Sequence, residues 1–166
     1  MITQDELKAL FNYDPVSGHF TNRSSRGRAG WGSRAGSPTG HGYRRIIIGY
    51  RKYYEHYLAW LFVYGEWPDE IDHVDRDRSN NAVSNLRKAT RSQNCCNSAK
   101  RESLSGLKGA YFDWRAMKWF SKIQIGRSIR WLGTFGTAEE AHAAYIQALT
   151  EYHGDYVPHE YRMEND

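Results

Sequence analysis

A polar stretch from Asn97 to Ser105 splits this chain into two pieces with different patterns. The 166 residues have room for one medium domain or two small ones, and the split reads as a linker between two units.

The first piece opens with Thr3 and Glu6 at capping-box spacing, followed by Leu7, Leu10 and Phe11 on one face. A short helix is expected there. Asp14-Pro15-Val16-Ser17-Gly18 is a turn signal between Tyr13 and His19-Phe20-Thr21, which predicts a small hairpin. Residues 22–42 are rich in Gly, Arg and Ser and read as a loop, one whose backbone is able to approach phosphates closely. Ile46, Ile47 and Ile48 before Gly49 predict a second hairpin. Tyr54 to Tyr64 follows at helical spacing, through Tyr57, Leu58, Leu61 and Phe62, and Pro68 ends that run.

The second piece reads as strands at 108–114, 119–125 and 128–135. Lys122 and Gln124 alternate with Ile123 and Ile125, as in a sheet with one wet face. Thr137 to Glu140 is another capping box, and Ala141, Ala144, Tyr145, Ala148 and Leu149 form an apolar stripe ending near Gly154. Three strands and one amphipathic helix make a minimal two-layer unit, so the fold class is α+β.

Charge is unevenly spread. Residues 21–54 carry Arg23, Arg26, Arg28, Arg34, Arg44, Arg45, Arg51 and Lys52 with no acid, whereas beyond Phe135 seven acids face only Arg162. Clustered positive charge points to a polyanion; a solvated surface is the plain alternative. Arg44 and Arg45 are the DNA-contact candidates of this first piece. No run of 18 apolar residues exists, and the first residues lack the pattern of a signal peptide, so a soluble intracellular protein without membrane partners is expected. Cys95 and Cys96 are neighbours and lack zinc-site spacing, so no zinc is expected.

The segment richest in chemistry runs from Ile71 to Leu86 and on to Ser92-Gln93-Asn94. Hydrolysis of a phosphodiester needs a base for water, which His supplies near neutral pH, and a hard cation with oxygen ligands. Asp72 and His73 stand side by side, and on an extended strand they point to opposite faces. A solvated loop built on Asx turns is the competing interpretation. A calcium loop is excluded: Asn80 stands where glycine is needed and Leu86 where glutamate is needed.

Asp72-His73, Asn80-Asn81, Asn85-Leu86 and Ser92-Gln93-Asn94, with Glu55 to Trp60 and Gly65 to Pro68 upstream, resemble the HNH homing endonucleases of phages and introns. The resemblance covers residues 1–98. It implies a ββα-metal nuclease domain in which His73 is the general base. Asp72 and Asn94 would ligate one Mg²⁺ or Mn²⁺ ion, while Asn85 braces the loop and helps hold the histidine. It leaves open whether His56 has a catalytic or a structural part.

Lys108-Gly109, Lys118-Trp119, Trp131 to Phe135 and Thr137 to Tyr145 resemble the Apetala-type DNA-binding domain of plant ethylene-response factors. The sheet face opposite the helix would then enter the major groove. Lys108, Tyr111, Lys122, Gln124 and Trp131 would face DNA, with Arg115, Arg127 and Arg130 nearby for phosphates. A one-residue register slip would turn Trp131 to the other face.

The expected organisation is a nuclease domain over 1–98, a linker over 99–104, the Apetala-type domain over 105–157 and an acidic tail over 158–166. The expected activity is site-preferring cleavage of double-stranded DNA by a monomer on DNA that nicks. It would be phage-encoded and act in the host cytoplasm. A non-catalytic DNA-binding regulator with a degenerate nuclease fold is the alternative.

Overall fold

A computed structural model describes residues 1–25, 30–97 and 104–157. The expected linker (Leu104 apart), the acidic tail, and Arg26 and Arg28 of the basic loop lie outside the described residues. The chain forms two compact units, Met1–Thr90 and Arg91–Asp166.

In the first unit, Thr3 caps α1 (Gln4–Leu10): its hydroxyl accepts the Glu6 N–H at 3.3 Å, and the Glu6 carboxylate accepts the Thr3 N–H at 2.9 Å. The helix runs into β1 (Phe11–Asp14), which pairs antiparallel with β2 (His19–Asn22). Asp14 closes this hairpin by accepting from the Val16 N–H and the Ser17 hydroxyl. Within the stretch read as loop lies a short strand, β3 (Ser37–Pro38), which edges the hairpin β4 (Arg44–Ile48) and β5 (Arg51–Tyr54). Pro38 fits there because an edge strand can spare an N–H.

Next, α2 (Glu55–Tyr64) fills the span expected to be helical. Gly65 takes the left-handed conformation, φ 75°, and its N–H caps the Leu61 carbonyl at 2.9 Å. A short antiparallel pair follows, β6 (Ile71–His73) and β7 (Leu86–Lys88), with Asp72 across from Arg87 and His73 across from Leu86. Leu7, Phe11, Phe20, Ile46, Leu58, Leu61, Ile71 and Leu86 share one core, so both helices, both hairpins and the β6–β7 pair are held by the same apolar burial.

The second unit contains α3 (Arg91–Asn97), β8 (Ala110–Asp113), β9 (Lys118–Ile125), β10 (Ser128–Phe135) and α4 (Ala138–His153). The strands form an antiparallel sheet in the order β10-β9-β8. Thr137 and Glu140 form the expected capping box on α4. Along α4, Ala141, Ala148 and Leu149 are buried, in clusters with Ala110 and Ile123 from the sheet. Alanines on that stripe let helix and sheet approach closely. The described residues are thus mixed α/β, with several small antiparallel sheets and four α-helices among them.

Candidate active site

The β6–β7 pair places Asp72 and His73 next to each other in the interior of the first unit. Alternation should have sent one of them to solvent, yet Ile71, Asp72 and His73 are all buried, because this short strand is covered on both faces. Asp72 is matched by Arg87 across the ladder: Oδ2 accepts from Nε at 2.8 Å and from Nη2 at 2.6 Å. A buried carboxylate needs such a partner.

His73 Nε2 lies 3.3 Å from Asn81 Oδ1. The imidazole sits in an aromatic nest, 5.0 Å from the His56 ring and 6.0 Å from the Tyr43 ring. Burial lowers the affinity of His73 for a second proton, opposed by the hydrogen bond to Asn81 and by the charges of Asp72, Asp75 and Asp77. The ring is therefore held neutral, the form that is able to take a proton. His56 is buried more deeply still and pushed down to about 3, first by desolvation and then by His73.

Between the two strands runs a loop stitched by Asx turns. Asp75 Oδ1 accepts the Asp77 N–H, and Asp77 Oδ1 accepts the Ser79 N–H, each at 2.8 Å. Asn85 closes the loop: its amide donates to Asp75 Oδ1 at 2.9 Å and to the Asn80 carbonyl at 2.8 Å, while its Oδ1 accepts the Asp75 N–H at 3.0 Å. Those three bonds account for a bracing residue; the amide that meets the histidine is that of Asn81.

Behind Asn81 sits Glu55, fully buried at the start of α2. Arg34 Nη2 donates to Oε2 at 3.0 Å, and Arg44 Nε donates to Oε1 at 3.1 Å. Burial raises the Glu55 carboxyl above its ordinary range, and the two guanidiniums pull it back. Both guanidiniums, within hydrogen-bond reach, favour its ionised form.

Residues 53–95 match the HNH endonuclease family model. No curated protein matches the chain. The HNH segment spans α2, the β6–β7 pair and most of α3, and so contains His56, Asp72, His73, Asn81, Asn85 and Asn94. It supports a nuclease-type function acting on DNA, and HNH nucleases use divalent metals. Asn94 stands on α3 and belongs to the second unit, whereas Asp72, His73 and Asn85 belong to the first. Among the described residues no group of three or more His, Cys, Asp or Glu is arranged to hold a metal ion. Asp72 is a hard oxygen donor of the kind Mg²⁺ or Mn²⁺ takes, so the chemistry fits. Its charge is balanced by Arg87, so a cation there would share or displace that partner.

The basic candidates of the first unit are placed unequally. The Arg44 guanidinium is taken up inside the protein, by Glu55 and by the carbonyls of Ala35 and Gly36. Arg45 is half-buried on β4. In the second unit, Trp131 is 57% exposed. It stacks on Phe120 at 5.0 Å, which in turn stacks on Tyr111 at 5.4 Å, and Lys122 lies over the Tyr111 ring. Gln124, Arg115 and Arg127 are exposed. Arg130 alternates away from Trp131 and lies over Tyr152 of α4. Lys108 is half-buried, and its amine donates to the Cys96 carbonyl.

Sequence reasoning gave no role to Glu55, Asn81, Arg34 or Arg87. Glu55 and Asn81 were visible in the motif. Their pairing is a contact across 26 positions of sequence that no spacing rule encodes.

No described helix is long and apolar enough to cross a membrane.

Proposed function

We propose that this protein is a metal-dependent endonuclease of the HNH homing type that hydrolyses phosphodiester bonds of duplex DNA. The observation that carries the proposal is a buried His73, its proton affinity lowered by that burial, directly after a buried Asp72 inside the HNH segment. His73 takes a proton from water, the water oxygen bonds to phosphorus, and the bond to the leaving sugar oxygen breaks as that oxygen gains a proton from solvent. One Mg²⁺ or Mn²⁺ ion, for which Asp72 is the carboxylate ligand of the first unit, would supply charge neutralisation at the phosphate and leaving oxygen. Asn85 keeps the loop between the strands closed. With a single such site, a monomer on DNA nicks one strand.

The organisation we propose is a nuclease domain over 1–98, a linker over 99–104, an Apetala-type DNA-binding domain over 105–157 and an acidic tail. The exposed Tyr111, Gln124 and Trp131, with the half-buried Lys122 among their rings, form its DNA-facing surface, with Arg115 and Arg127 on phosphates. A phage gene acting in host cytoplasm is the source this reading implies.

The Asp72–Arg87 pair favours one other reading, because it satisfies the carboxylate without a cation. In that reading the protein is a DNA-binding regulator with a degenerate site. Plasmid relaxation decides between them: cleavage with Mg²⁺ or Mn²⁺ that EDTA and His73→Ala each abolish supports the nuclease. Tight duplex binding with no relaxation under any divalent ion leaves the regulator.

A further inference from the structure

His73, Asn81 and Glu55 form a buried row of contacts. The Asn81 amide nitrogen lies 3.4 Å from Glu55 Oε2 and 3.3 Å from the Ser79 carbonyl, and Asn81 Oδ1 lies 3.3 Å from His73 Nε2. The orientation of an amide is decided by its partners. A carbonyl oxygen only accepts, and so does an ionised carboxylate, so both must face the NH₂ group. The Asn81 oxygen is then turned to His73. An oxygen without a proton can face Nε2 only if Nε2 carries the hydrogen. A neutral imidazole has one N–H, which leaves its basic lone pair on Nδ1.

Asn81 has little freedom to do otherwise. Its side chain is buried, and its backbone carbonyl accepts the Tyr13 hydroxyl at 2.7 Å. The Gly18 turn of the first hairpin packs directly on that backbone. Glu55 is held in turn by Arg34 and Arg44. We infer that Asn81 is a positioning residue that fixes His73 in its Nε2–H form, and that Glu55, clamped by two arginines, fixes which way the Asn81 amide faces. The consequence for catalysis rests on the nuclease reading above; the inference about the tautomer does not.

The ring nitrogens of His73, read by ¹⁵N-resolved NMR on the full-length protein at neutral pH, test this directly. We expect the wild type to show the Nε2–H form. Asn81→Ala, which removes the acceptor oxygen from His73, should show a mixture of both forms. Cleavage by Asn81→Ala should lose roughly 10- to 100-fold in kcat with KM little changed, since only the base is affected. Circular dichroism and duplex binding check that the variant remains folded. A wild type with the proton on Nδ1 overturns the inference without need of any variant. So does a folded Asn81→Ala whose His73 remains wholly Nε2–H. A wild type that is Nε2–H yet never cuts DNA sinks the nuclease reading and leaves the inference in place.

Discussion

Arg87 holds Asp72 through two nitrogens on one carboxylate oxygen, at 2.6 and 2.8 Å, within the same two-strand ladder that carries His73. Asp72 is buried and Arg87 half-buried. Removing one member of such a pair leaves an uncompensated charge. Arg87→Ala should therefore cost roughly 2–4 kcal/mol of stability in EDTA. A divalent ion that binds Asp72 should restore part of that loss by replacing the missing cation. Thermal unfolding of wild type and Arg87→Ala, with and without Mg²⁺ or Mn²⁺, measures both. Equal sensitivity of the two proteins to metal would exclude Asp72 as a metal ligand that competes with Arg87.

His73→Ala should lower the cleavage rate by a factor of about 10² to 10⁴, the usual contribution of a positioned general base. Duplex affinity should stay within a few fold, because a neutral buried ring offers no charge to phosphate. Gel-shift and nicking assays on the same preparation separate the two effects.

His56 gives a pH dependence with a definite sign. Its folded pKa is about 3 and its ordinary value 6.5. Between those values the unfolded chain binds a proton that the folded protein refuses, so stability falls as pH drops from 6.5 towards 3. The total is on the order of a few kcal/mol. His56→Phe keeps a ring against Tyr54 and removes the titration. Its melting temperature should fall less steeply over that window than the wild type's. His73 and His153 are lowered in the same sense and leave a residual slope.

Gly18 couples the first hairpin to the candidate site. It has φ +70°, and a Cβ there would come within 2.2 Å of the Asn81 backbone. Gly18→Ala should destabilise by about 2–3 kcal/mol, through left-handed strain together with displaced backbone. It should also weaken cleavage by moving Asn81. Gly30→Ala, where a Cβ meets nothing within 4 Å, is the control and should be nearly silent. Comparable losses in both variants would show that Gly18 has no special place.

What sequence disclosed here was what is local. Capping boxes at Thr3 and Thr137 and the Asp14 turn each depend on residues a few positions apart, and they form as read; the three strands of the second unit form too, the first trimmed to Ala110–Asp113 and the second starting at Lys118. The helix read over 54–64 forms as Glu55–Tyr64, and glycine at 65 caps it ahead of Pro68. Burial of both Asp72 and His73 was invisible because alternation assumes a sheet with one open face. Arg44 read as a surface cation because its partner, Glu55, is 11 positions away on another element. Long-range polar pairing leaves no period in the sequence.

The two tryptophans on neighbouring strands of the second unit should behave oppositely. Trp119 on β9 packs against Phe112 at 4.9 Å and joins the cluster beneath α4. Trp131 on β10 is mostly exposed, in line with Phe120 and Tyr111 and beside Lys122. Trp119→Ala should cost roughly 2–4 kcal/mol by leaving a cavity. Trp131→Ala should cost less than about 1 kcal/mol, because little of its surface is removed from water. If the exposed row meets DNA, Trp131→Ala should instead weaken duplex affinity by about tenfold, the scale of losing a well-packed aromatic contact. Chemical denaturation and gel shift, run on both variants, give four numbers. A Trp131→Ala protein with wild-type stability and wild-type affinity would remove this sheet face from the DNA interface.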